Sequence, residues 1–151
     1  MADAPKVRTL DEALGWLDGL ERAGEARGTG QWPLASVLDH LAQSIEMSMD
    51  GFPEAKPLFF QRTVGAAAFA VFKLRGRMSH GLAAAIPGAP PLASGPDWRA
   101  PAARLRRAIL RFQQHAGALR PHFAYGALSK SDFALAHAMH IANHQDEIVR
   151  A

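Results

Sequence analysis

The chemistry in this chain is concentrated in its histidines. Seven occur, and three of them stand in His137-Ala-Met-His140-Ile-Ala-Asn-His144. On a helix, His140 and His144 project about 40° apart, with His137 about 60° from His140 on the same side. A His-x3-His pair on one face separates two imidazoles by a single turn, so both can reach one ion at about 2.0 to 2.1 Å from each nitrogen. Two ligands bind weakly, and a third imidazole is offered by His40, which shares the edge of an apolar helical face with Val37, Ser44 and Met47. Histidines at such borders also serve as hydrogen-bonded core residues, so spacing alone leaves a metal site and a metal-free polar core both open. With no cysteine in the chain, any metal must be held by His, Asp or Glu. Thiolate nucleophiles, disulfides and Cys-ligated zinc or iron–sulfur centres are excluded.

Helices must position these side chains. Thr9-Leu-Asp-Glu12 has the form of a capping box, followed by Leu10, Ala13, Leu14, Leu17 and Leu20 at helical spacing. Three glycines between Gly24 and Gly30 end that helix. Trp32-Pro33 opens a second, expected to run to about Met49 with Leu34, Leu38, Leu41 and Ile45 on its core face and Asp39, Gln43 and Glu46 on the other. A third is predicted over Pro57 to Leu74, where the small residues Gly65 to Ala68 allow close approach to a neighbour. Gly81 to Pro101 holds five prolines and three glycines and is predicted to be a long loop, of the kind that is usually functional or a lid. A fourth helix, about Ala102 to Ala118, turns Leu105, Ile109 and Phe112 inward. Ser129-Lys-Ser-Asp132 is another capping box, opening a last helix that carries the histidine stripe to near the C-terminus. No segment shows period-two alternation, so the expected fold is all-α, a single domain over residues 1–151.

Composition agrees with one globular domain: 151 residues, 48% hydrophobic and 21% charged. The net charge is +3, and Arg104, Arg107 and Arg111 form a basic stripe that is either a solvated face or an attractor for a carboxylate or phosphate. No nucleic-acid-binding motif accompanies it. The longest apolar run, Val64 to Phe72, is far short of the roughly 20 residues that span a bilayer. The N-terminal residues lack the pattern of a signal peptide. The expectation is a cytoplasmic protein without membrane or nucleic-acid partners.

Several separate segments carry a resemblance. Trp32, the run Leu38-Asp-His40 through Asp50-Gly-Phe-Pro53, Thr63-Val-Gly65, Arg77-Met-Ser-His80, Ile86-Pro-Gly-Ala-Pro90, Pro121-His-Phe-Ala-Tyr-Gly126 and the final His140-x3-His144 together resemble the DUF1569 family of the DinB-like superfamily of metalloenzymes. The resemblance implies a DinB-like four-helix bundle core with an additional helix and a long Pro/Gly-rich connection. It also implies a metal held by one histidine of the second helix, which maps to His40, and two of the last, which map to His140 and His144. Asn143-His144-Gln145-Asp146-Glu147 departs from the family's frequent His-His-Leu-Arg-Gln-Phe ending, keeping the ligand spacing but changing the neighbours of the last ligand.

Three protein nitrogens leave a coordination position for water or substrate, the arrangement of a catalytic site. Zinc is the first choice of metal, and nickel, iron and manganese suit similar ligands. His137 and Glu147, each three residues from a ligand, are candidates for a catalytic base or a partner that orients a ligand. His122 and Tyr125 could reach the site from the turn before the last helix. Superfamily analogy implies an enzyme in which the metal activates water or a low-molecular-weight thiol cosubstrate against a small-molecule substrate, in the manner of a thiol transferase, isomerase or hydrolase. The alternative is a non-catalytic helical-bundle interaction protein with a structural or vestigial metal site. A homodimer through helical faces is common for such bundles.

Overall fold

Thr9 begins the first helix as its spacing from Glu12 predicts. In the computed structural model, which describes residues 4–79 and 81–150, the Thr9 hydroxyl accepts a hydrogen bond from the Glu12 N–H at 3.1 Å, and the Glu12 carboxylate reaches back one residue further than the box requires, to the Arg8 N–H at 2.7 Å. Helix α1 (Leu10–Arg22) is followed by β1 (Ala26–Gly28), α2 (Leu34–Asp50), a third helical run α3, α4 (Arg99–Gln114), α5 (Lys130–Gln145) and β2 (Ile148–Arg150). The α3 run comprises Leu58–Phe60, a π-helical turn Gln61–Gly65, and Ala66–Arg75.

Helices α1, α2, α4 and α5 share one core, filled by Leu17, Leu38, Leu41, Ile45, Leu105, Ile109, Phe112, Phe133 and Ile141 among others. Each such fully buried side chain contributes roughly 1.5–3 kcal/mol. Polar pairs give the helix directions. Arg104 binds Asp39 and Glu46 while Arg111, two turns on, binds Asp50, so α2 and α4 run in the same direction and need a long connection between them. Ser48 meets His137 while His40 meets His140, so α5 runs antiparallel to α2. A smaller apolar cluster of Phe69, Met78, Ala136 and Met139 fastens α3 to the side of α5.

Four expectations are corrected. The fold is mostly helical rather than purely so: β1 and β2 pair antiparallel, Ala26 opposite Arg150 and Gly28 opposite Ile148. The last helix accordingly stops at Gln145, and the chain turns back toward the loop before α2. Asp39 and Gln43 are buried, not solvated. The long connection lies on them: Ser36 donates to the Ala93 carbonyl, Asp39 accepts from the Ala93 N–H, and Gln43 donates to the Pro90 carbonyl at 3.0 Å. The arginine stripe is likewise engaged, since Arg104 is bidentate to Glu46 and Arg111 to Asp50, leaving Arg107 exposed. Helix α4 starts at Arg99 because the Asp97 carboxylate accepts from the Arg99 N–H. Among the described residues, no helix is long and apolar enough to cross a membrane.

Candidate metal centre

Helix α2 presents His40 and α5 presents His140 and His144 toward one point. His40 Nε2 and His140 Nε2 lie 3.1 Å apart. The ring centroids of His40 and His144 are 5.2 Å apart, and those of His140 and His144 4.9 Å. One nitrogen from each imidazole falls within 4.8 Å of the others, and all three rings are buried. Donors around a tetrahedral ion at about 2.0–2.1 Å stand roughly 3.3 Å from one another. The three histidines could therefore hold a metal ion with little rearrangement. An all-imidazole donor set suits zinc, nickel, iron and copper better than the hard cations.

The third ring is held from behind. His144 Nδ1 lies 3.0 Å from a carboxylate oxygen of Glu147, which leaves Nε2 as the nitrogen for an ion, the tautomer that a carboxylate partner selects in metal-bound histidines. Glu147 is itself buried, and burial raises its carboxyl above the ordinary range. It is seated by the two-stranded sheet: the Thr29 N–H donates to the Glu147 carbonyl at 2.7 Å. Gly30 makes the room, since a Cβ there would come within 2.5 Å of the Glu147 carboxylate. On the opposite side Trp32 packs edge-on against His40 at 5.3 Å between centroids.

His137 shares the stripe but has a different environment. Its ring stacks on Phe133 and meets Phe112 edge-on. The Ser48 hydroxyl donates its one proton to the Ile45 carbonyl at 2.6 Å, so at 3.0 Å from His137 Nε2 it acts as acceptor and His137 as donor. Burial lowers His137 to about 3, with the nearby His122 adding to the shift. The imidazole is therefore neutral at ordinary pH and a weak base.

A cavity of about 300 Å³ opens beside the centre. His40, His140 and His137 form part of its wall, and His144 does not. The long connection supplies Ala84 to Pro87, with Ile86 buried, and the turn before α5 supplies His122 to Tyr125. In that turn His122 Nδ1 accepts from the Ala124 and Tyr125 N–H groups, and its ring stacks on Tyr125 at 4.2 Å. The turn is pressed onto α3: a Cβ at Gly65 would lie 1.8 Å from the Ala124 carbonyl oxygen, so the glycine, and the π turn it ends, fit the contact. Burial pushes the Tyr125 hydroxyl up to about 12. His115 lies apart at the end of α4, 3.2 Å from the Ala118 carbonyl. His80 lies outside the described residues.

Residues 4–151 match the sequence family described as a protein of unknown function (DUF1569). The chain belongs to the DUF1569 family. No curated protein and no solved structure matches it. In this DUF1569 chain, spacing and resemblance led to His40, His140 and His144, but gave Ser48 and Lys56 no role, and placed Ser44 only as a helical neighbour of His40 and Ile86 only within the resemblance. The signal that could have found part of the wall is Ser36-x2-Asp39-x3-Gln43, a polar stripe at helical spacing on a helix otherwise apolar, now covered by the connection.

Proposed function

We propose that this protein is a metal-dependent enzyme in which His40, His140 and His144 hold one divalent ion, zinc by first choice, and in which the cavity beside them takes a small-molecule substrate. The observation that carries this reading is the asymmetry of the three histidines. His140 and His40 line the cavity, while His144 does not and is braced from behind by Glu147. An ion held there would keep a coordination position toward the cavity, as catalytic sites do and structural sites do not. Such an ion lowers the pKa of a coordinated water or thiol, which makes either a nucleophile near neutral pH.

The chain's own residues prepare that position. Glu147 orients His144, and Trp32 covers His40. His137, neutral and anchored on Ser48, is suited to shaping the wall and less to abstracting a proton. The connection from Ala84 to Pro87 restricts water, in keeping with a lid. Helix directions, with α2 and α4 running alike across a long connection, support the DinB-like four-helix reading of the bundle, and that reading supports a thiol transferase, isomerase or hydrolase by analogy alone.

Cobalt(II) substitution tests the proposal. The visible spectrum of the loaded protein should be that of a four- or five-coordinate site, and adding a small thiol such as 2-mercaptoethanol should shift it. A bound cobalt ion indifferent to thiol and to azide would mean a closed, structural site.

One observation favours a second, non-catalytic reading. Leu58, Phe59, Val64, Val71 and Leu74 of α3 are exposed, an apolar face suited to a partner protein or a second copy. Concentration-dependent dimerisation, abolished by Leu74→Glu, would support it.

A further inference from the structure

The cavity has one sign of charge. Among the described residues that line it there is no aspartate or glutamate, and Lys56 carries the only formal charge. Asp39 and Glu46 are paired with Arg104, and Glu147 with the far side of His144, while Glu54 lies outside the wall, against Gly88 of the connection. Tyr125 adds no negative charge, because its hydroxyl stays protonated and points to the Met78 sulfur at 3.8 Å. The remaining wall is apolar, chiefly Met78, Ile86, Phe123 and Tyr125.

Lys56 is placed by its backbone. Its N–H donates to the Phe123 carbonyl at 2.8 Å and its carbonyl accepts from the Gln61 side chain at 2.7 Å. The backbone is thereby fixed where the segment before α3 meets the turn that forms one wall, and the exposed side chain starts from the cavity's rim. Its ammonium group lies over the Phe60 ring at 5.8 Å, and no described carboxylate pairs with it. A volume of about 300 Å³ is roughly twice the ~150 Å³ that accommodates benzene in an apolar cavity.

We infer that the cavity selects a compact organic monoanion with an apolar body of about one ring in size, and that Lys56 is the residue that reads its charge. The inference rests on the cavity being the substrate site of the metal centre proposed above. An anion entering a carboxylate-free, largely apolar space meets little repulsion and one unpaired cation. A neutral isostere gains only the apolar contacts, and a small cation is disfavoured by Lys56 and by any bound metal alike.

Calorimetric titration of the zinc-loaded protein with benzoate, benzamide and inorganic phosphate tests this. Benzoate should bind at least ten-fold more tightly than benzamide, and more tightly than phosphate, which lacks the apolar body. Lys56→Gln should weaken benzoate by about five- to thirty-fold, leave benzamide unchanged, and leave zinc stoichiometry unchanged, while Lys56→Arg restores most of the benzoate affinity. Benzoate can also ligate zinc, so its dependence on Lys56 carries the test. Equal affinities for benzoate and benzamide, no benzoate binding at millimolar concentration, or a Lys56→Gln variant that binds benzoate as the wild type does would each overturn the inference. Zinc bound without charge selectivity removes this inference alone. Selectivity through Lys56 in a protein that takes up no zinc removes the metal reading and leaves the anion cavity standing.

Discussion

His137 and His140 stand one turn apart on the same helix, are both buried, and face the same neighbouring helix, yet they have become different chemical groups. Opposite His137, α2 offers Ser48, whose hydroxyl is already spent on a backbone carbonyl, and two phenylalanine rings enclose the imidazole. Opposite His140, two turns toward the start of α2, stands another imidazole, and a third follows one turn later on α5. The first environment supplies an acceptor for the ring N–H, and its burial keeps the ring neutral. The second supplies only nitrogen donors converging on one point, which becomes favourable when a cation joins them. A stripe of like residues is thus not one site: the facing helix divides it.

The largest effect that could break this comparison is on metal affinity. His140→Ala should lower zinc affinity by about a thousand-fold or more, measured by competition with a chromophoric chelator, because two imidazoles bind weakly. His137→Phe should leave that affinity within a few-fold of wild type, and equal losses in the two variants would erase the distinction. Next in size, Glu147→Gln should weaken zinc by about 10- to 100-fold while the fold survives, since the carboxylate orients His144 without ligating.

Ser48→Ala sharpens the other half of the comparison. It leaves the His137 N–H buried without its acceptor, which costs about 1–3 kcal/mol in urea unfolding, and it should not alter metal stoichiometry. A comparable effect is expected on pH dependence. With His137 lowered to about 3 from an ordinary 6.5, the unfolded chain binds a proton between those values that the native state does not. His137 therefore adds an increase of stability with pH across that window, at most about 1.4 kcal/mol per pH unit, present in full above 6.5 and lost as pH falls toward 3. The fall in urea midpoint from pH 7 to pH 5 should be smaller in His137→Phe than in the wild type, and an unchanged fall would show that His137 titrates normally.

Periodicity and caps made the helices legible, because Thr9, Pro33 and Ser129 mark starts that depend on local chemistry. The two strands were not legible, since three residues each are too few for alternation to register, and their pairing joins positions some 120 residues apart. Asp39 and Gln43 were assigned to solvent because charge and amide groups usually go there. Their burial depends on an irregular connection whose path no local pattern encodes. The π turn escaped for a similar reason, as Gly65 is accounted for only when the Ala124 carbonyl is seen against it. At the site, the His-x3-His spacing was plain, and His40 was offered by its place at the edge of an apolar helical face and then singled out by the family resemblance. Glu147 was selected by its distance from His144 along a helix, but it reaches His144 where the helix has already ended, held there by the sheet.

The most direct test of the central claim is the metal content of wild-type protein purified without a histidine tag, by elemental mass spectrometry. Close to one equivalent of a first-row divalent metal, present as purified or restored after chelation and reloading, is the predicted result. Folded wild-type protein that is metal-free and cannot be loaded would contradict it, and the three imidazoles would then be a hydrogen-bonded polar core.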